Sequence, residues 1–109
     1  MDSSRLAEHF GRQLWHRRRL ACLTQEELGR LLDVHRTEIG LIERGLRVPR
    51  LDTILKLSAG VEASPCDLIS GLRWRPGSHA RVGGNYADSG SRLDAANTPA
   101  ANRKRVGAQ

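Results

Sequence analysis

The chain has 109 residues, with 18 Lys+Arg against 12 Asp+Glu and a net charge of +6, which allows one small domain and an extension. No run approaches the roughly 20 apolar residues that cross a bilayer, and the opening "MDSSRLAEHF" has no apolar signal core, so neither a membrane span nor export is expected. Cys22 and Cys66 make no CxxC or CxxH pair and the four histidines are scattered, so no metal or other cofactor is expected, and the thiols are expected free and buried.

Aliphatic residues recur at helical spacing up to Leu72, and no period-2 run of β-branched residues is present. The expected fold is therefore all-α, without a sheet. The first helix is predicted from about Ser4 to Leu20, with Leu6, Phe10 and Leu14 on one stripe. The second opens at Thr24, whose spacing to Glu27 suits a capping box, and turns Leu28, Leu31 and Leu32 inward. Asp33-Val34 is a tight turn. The third helix runs from about His35 to Arg44 and stops at Gly45, a natural left-handed residue. "LRVPR" is a loop. The fourth spans about Leu51 to Ala59, with Leu51, Ile54, Leu55 and Leu57 inward and Gly60 as its stop. The fifth opens at Ser64-Pro65, with Asp67 three residues after the cap, and leads into Leu68, Ile69 and Leu72.

After Leu72 the composition shifts to Gly, Ser, Asn, Ala and Arg. Such a stretch buries too little apolar surface to offset its ordering entropy, so 73–109 is expected to be a flexible, disordered basic tail. Most of the charge lies there: residues 1–72 hold 11 Lys+Arg and 10 Asp+Glu, residues 73–109 hold 7 and 2. "RKR", Arg103 to Arg105, supports only weak nonspecific attraction to DNA.

Helices two and three are separated by very few residues, and Gly29 sits at the centre of helix two, on the side expected to face helix three. A small residue there lets two axes cross steeply, the geometry of a helix-turn-helix. Helix three has Ile39 and Ile42 on one stripe and an outer face of Arg36, Thr37, Gly40, Leu41 and Arg44. That face suits a DNA major groove. Arg36 can fork onto guanine O6 and N7, Thr37 can offer a hydroxyl or methyl, and Leu41 can lie against a thymine methyl. Gly40 is expected to remove bulk that would hold the helix off the groove. The plainer readings are a solvated charge for Arg36, a neutral helix-start residue for Thr37 and dipole stabilisation for Glu38. In "HRRR", His16 to Arg19, a solvated face is expected except at Arg18.

"LTQEELGRLLDVHRTEIGLIERGLRVPRLDTILKL" resembles the Cro and phage-repressor helix-turn-helix family, of the xenobiotic-response-element type, over about residues 10–70. "HRT" followed by "IG" and "IERG" is also similar to controller proteins of restriction–modification systems. The resemblance implies a compact five-helix lambda-repressor-like domain over 4–72, with the helix-turn-helix at about 24–44. It implies a sequence-specific transcription regulator in the cytoplasm, associated with the nucleoid. The implied partner is a double-stranded, pseudo-palindromic DNA operator bound by a homodimer, with half-sites about 34 Å apart. Carried over by position, Arg36, Thr37 and Leu41 read bases, with Glu38 and Gly40 adjacent. Gln25, His35, Arg44, Arg47 and Arg50 meet phosphates, and Arg18 pairs with Glu43. Leu68, Leu72 and Trp74 are expected to form the dimer interface, because apolar residues continue there after the core is filled. The chain departs from the family pattern at Gly29 (usually Ala), Asp33 and Cys22 (usually Gly), Trp15 (often Arg) and Arg50 (usually a Ser/Thr cap).

The alternative function is an antitoxin that holds a toxin through its tail and regulates its own synthesis through the same domain. A third reading is a factor bridging to transcription machinery or the ribosome. No Gly-rich phosphate loop, HExxH or GxSxG is present, so an enzyme is not expected.

Overall fold

The computed structural model describes residues 4–77 and 84–88. In chain order the elements are α1 (Ser4–Leu20), α2 (Gln25–Leu32), α3 (Arg36–Glu43), α4 (Leu51–Gly60), α5 (Pro65–Ile69), β1 (Leu72–Arg75) and β2 (Asn85–Asp88).

Two helices begin with reciprocal caps, both legible from spacing. Thr24 Oγ1 accepts from the Glu27 backbone N–H at 3.0 Å, and the Glu27 carboxylate accepts from the Thr24 N–H at 2.9 Å. Ser64 and Asp67 repeat the pattern at 3.2 and 2.9 Å, with Pro65 in the first turn. Each box satisfies two amides that the helix itself leaves open.

Four helices end in one shared way. A residue at positive φ follows the helix: Cys22, Asp33, Gly45 and Glu62, with φ of 60°, 57°, 75° and 60°. Its N–H reaches three residues back, to Arg19, Arg30, Ile42 and Ala59 respectively. The next N–H, of Leu23, Val34, Leu46 and Ala63, reaches five back. This double closure occupies carbonyls that would otherwise lack partners. Gly45 is left-handed as expected, and so is Asp33, which tolerates that conformation better than most non-glycine residues. Gly60 is not the stop of α4, because it is the last helical residue. A Cβ there would sit 2.7 Å from Leu28 and 2.9 Å from Leu32, so this glycine makes room for α2.

The core is Phe10 and Leu14 from α1, Leu28 from α2, Ile39 and Ile42 from α3, Leu57 and Val61 around α4, and Leu68 from α5. Leu23, Leu32, Val34, Ile54 and Ala63 pack around it. Leu6 is only half-buried. Leu31, Leu51 and Leu55, expected inward, are exposed instead, and Ile69 is exposed as well. On α4 the buried stripe runs through Ile54, Leu57 and Ser58 to Val61, which turns Leu51 and Leu55 outward together. Cys22 and Cys66 are free, as expected, but both are exposed. His9 is buried on α1, and its Nε2–H donates to the Ser70 carbonyl at 2.7 Å, tying α1 to the end of α5.

The expectation of no sheet is corrected. β1 and β2 pair antiparallel, with Leu72 opposite Asp88, Arg73 opposite Ala87, Trp74 opposite Tyr86 and Arg75 opposite Asn85. β2 contacts α1. Trp74 and Tyr86 meet edge to face, with centroids 5.1 Å apart, a cross-strand aromatic pair that favours the pairing. The expected flexible tail is thus structured at 73–75 and 85–88, while 78–83 and 89–109 lie outside the described residues. Leu68 is removed from the expected dimer interface, because it is fully buried in the core at 0% exposure. Leu72 is half-buried and Trp74 is exposed.

Candidate nucleic-acid interface

Three residues, Asp33 to His35, join α2 to α3. Gly29 lies at the crossing. A Cβ there would collide with the Val34 carbonyl oxygen and meet the Arg36 nitrogen at 3.3 Å. The missing side chain lets the α2 and α3 backbones touch, as expected of this position.

His35 is the N-cap of α3. Its backbone is extended, and its Nδ1 accepts from the Thr37 N–H at 3.0 Å. An acceptor at Nδ1 places the neutral ring's hydrogen on Nε2. The family resemblance implies a phosphate contact for His35, and a capping role is not legible there because histidine is not a usual cap.

Along α3, Arg36 and Thr37 are exposed, Leu41 is half-buried and Arg44 is exposed. Gly40 lies beneath side chains of the outer face. It is buried, and a Cβ on it would meet Arg44 Nη1 at 3.3 Å and Gln25 Oε1 at 3.4 Å. Its absence lets those two side chains lie across the helix. Gln25, Arg36, Thr37, Gly40 and Arg44 together line one shallow notch between the start of α2 and the outer face of α3. Glu38 and Arg47 are joined in an ion pair. Arg50 is highly exposed, lacks a side-chain cap bond to α4, and lies 3.4 Å from Asp52.

Beneath this surface, Arg18 and Glu43 form a two-pronged pair. Nε donates to Oε2 at 2.6 Å and Nη2 to Oε1 at 3.1 Å. Their side chains are only 10% and 3% exposed. Arg18 Nη1 also donates to the Leu23 carbonyl at 2.7 Å, and Gln25 Nε2 donates to Glu43 Oε1 at 2.9 Å. One carboxylate therefore gathers α1, α3 and the first residue of α2. The Gln25 amide nitrogen has two hydrogens, so the bond to Glu43 leaves one for another acceptor.

Gly11 is a site residue that sequence reasoning passes over. A Cβ on it would collide with the Ile42 carbonyl oxygen and lie 2.6 Å from that of Glu43. It lets α1 lie against the end of α3 and so sets the distance that Arg18 spans. The available signal was a lone glycine inside a long helix, which otherwise costs about 1 kcal/mol relative to Ala.

A family model described as a helix-turn-helix domain matches residues 9–68. The chain belongs to that family. A comparison with curated proteins returns no match. Among solved structures, the chain is similar to the restriction-modification controller protein C.AhdI from Aeromonas hydrophila. Identity is 34% and the TM-score 0.60, covering 62% of this chain and 99% of that one. It is similar to an HTH_3 family transcriptional regulator from Vibrio cholerae, at 26% identity and TM-score 0.59, over 63% of this chain and 39% of that one. It is also similar to the P22 c2 repressor, solved in complex with a synthetic operator. There identity is 29% and the TM-score 0.54, over 57% of this chain and 94% of that one. These likenesses agree with the Cro/phage-repressor and controller resemblance of the sequence, and the five helices form the lambda-repressor-like fold. The family match ends at residue 68, before the hairpin.

Among the described residues no helix is long and apolar enough to cross a membrane, and no group of three or more His, Cys, Asp or Glu could hold a metal.

Proposed function

We propose that the chain is a sequence-specific DNA-binding transcription regulator that inserts α3 into the major groove. The observation that carries this reading is the α3 face: exposed Arg36 and Thr37 beside a notch rimmed by Gln25 and Arg44, on a frame locked by Arg18 and Glu43. Arg36, Thr37 and Leu41 read base edges. Gln25, His35 through Nε2, Arg44, Arg47 and Arg50 meet phosphates. Glu38, paired with Arg47, orients that arginine. The operator is pseudo-palindromic and bound by a homodimer, because one small module offers limited contact with DNA. The dimer edge is the end of α5 and β1, with exposed Ile69 and Trp74 and half-buried Leu72.

The test begins with selection of bound duplexes from random DNA. Arg36→Ala should then cost about 1–3 kcal/mol per half-site on the selected operator and much less on a scrambled duplex. Equal losses on both would make Arg36 a phosphate contact and displace the reading face. Trp74→Asp should shift the chain to monomer in sedimentation and weaken operator binding. A wild-type chain that stays monomeric at micromolar concentration and binds one per site would refute the dimer.

A further inference from the structure

Three consecutive arginines end α1, and they have different surroundings. Arg17 Nη2 lies 3.6 Å from Asp67 Oδ1. Arg18 is held by Glu43. Arg19 is exposed and has no carboxylate partner among the described residues. Its guanidinium instead lies 4.7 Å from the centre of the Trp15 ring, one helical turn earlier. A carboxylate would cancel the charge, whereas an aromatic face restrains the group and leaves the charge available. Trp15 itself meets His16 edge-on at 5.0 Å.

The position of Arg19 gives that charge a use. Arg19 rims a shallow recess with Arg18, Cys22, Leu23 and Thr24. Thr24 precedes Gln25, which lines the α3 notch. The two recesses therefore adjoin along the start of α2, and the carboxylate that binds Gln25 also binds Arg18, the neighbour of Arg19.

We propose that Arg19, restrained by Trp15, binds a phosphodiester of double-stranded DNA on the flank of the α3 site. The interface then extends from α2 and α3 onto the C-terminal end of α1. Trp15 is a positioning residue and Arg19 the contact. This rests on the DNA-binding reading, and it assigns function to a stretch otherwise read as a solvated charged face. The contact is to the backbone, so it adds affinity and register but no base preference.

The experiment titrates the full chain onto its selected operator and a scrambled duplex at several salt concentrations. Arg19→Gln removes one charge and one exposed cation–π contact, so the thermal midpoint should fall by no more than a few degrees. The salt slope should fall by about 0.9 per bound chain, which corresponds to a roughly eightfold weaker binding per chain at 0.1 M salt, alike on both duplexes. Trp15→Leu keeps the charge, so it should leave the slope in place and lower affinity by a smaller factor. Trp15→Phe, which keeps a ring, should recover most of that loss. Wild-type slope and affinity in Arg19→Gln would overturn the Arg19 contact while leaving the DNA reading intact. Wild-type behaviour of Trp15→Leu would overturn the positioning role. Absence of salt-dependent duplex binding by the wild-type chain would overturn the DNA reading itself, and this proposal with it.

Discussion

Glu43→Ala tests the frame on which the α3 face is built. The substitution deletes a carboxylate that is 3% exposed and accepts three hydrogen bonds, two from Arg18 and one from Gln25. Arg18 would keep only its bond to the Leu23 carbonyl, and its guanidinium would remain nearly buried without a counter-charge. Removing one partner of such a pair costs about 3–5 kcal/mol, chiefly because the survivor is stranded. A domain of this size holds on the order of 5–15 kcal/mol in total, so the variant should be marginal at room temperature. Glu43→Gln keeps acceptor capacity without the charge and should lose less. The double variant Arg18→Met/Glu43→Leu replaces both charges with apolar groups and should recover much of the single-variant loss. Urea melts followed by helical circular dichroism measure all three, with an unchanged slope indicating the same surface exposed. A Glu43→Ala loss of only a few tenths, or a double variant as unstable as the summed singles, would refute the view of a stranded buried charge.

Gly11→Ala should cost at least about 1–3 kcal/mol in a thermal or urea melt, because its Cβ meets α3 backbone that cannot step aside; an unchanged midpoint would contradict the close approach. Gly40→Ala meets only the ends of flexible side chains, so the fold should survive while operator binding falls as Arg44 and Gln25 are displaced; wild-type binding would exclude the notch from the interface. Thr24→Ala removes the α2 cap and should cost about 1 kcal/mol in the same melts. Glu62→Gly relieves a left-handed non-glycine residue and, after the extra backbone entropy of glycine, should stabilise by up to about 1 kcal/mol; a lower melting point would show that the Glu62 side chain contributes more than its backbone costs.

What could be read from the sequence was whatever is encoded within a few neighbouring residues. Thr24 with Glu27 and Ser64 with Pro65 and Asp67 mark helix starts by spacing alone. The crossing at Gly29 was legible because a glycine mid-helix needs a packing reason. The pairing of Arg18 with Glu43, 25 residues apart, is legible from family register together with the inward side of the third helix, since no local spacing links the two. Errors arose where periodicity permits two answers. On α4, Leu51 and Leu55 have helical spacing as good as that of Ile54, Leu57 and Val61, and only packing decides between them. On α2, Leu31 and Leu32 flank the same stripe, and the space left by Gly60 admits Leu32. The hairpin carries little sequence signal because "LRWR" alternates large and charged residues over only four positions. Its partner strand lies beyond a Gly- and Ser-containing stretch that resembles a tail.

The shared closure at the ends of α1, α2, α3 and α4 bears on how the chain folds. Each closure uses amides and carbonyls within six residues, so helix lengths are set before distant parts of the chain meet. The α2–α3 unit is contiguous in sequence and can assemble early at low entropic cost. The bond from His9 to the Ser70 carbonyl spans 61 residues, and the hairpin leans on the same helix, so these join last. Opening should retrace that order. Native-state hydrogen exchange should show α5 and the hairpin releasing their amides ahead of α2 and α3, leaving the α3 face assembled while the far end of the molecule comes apart.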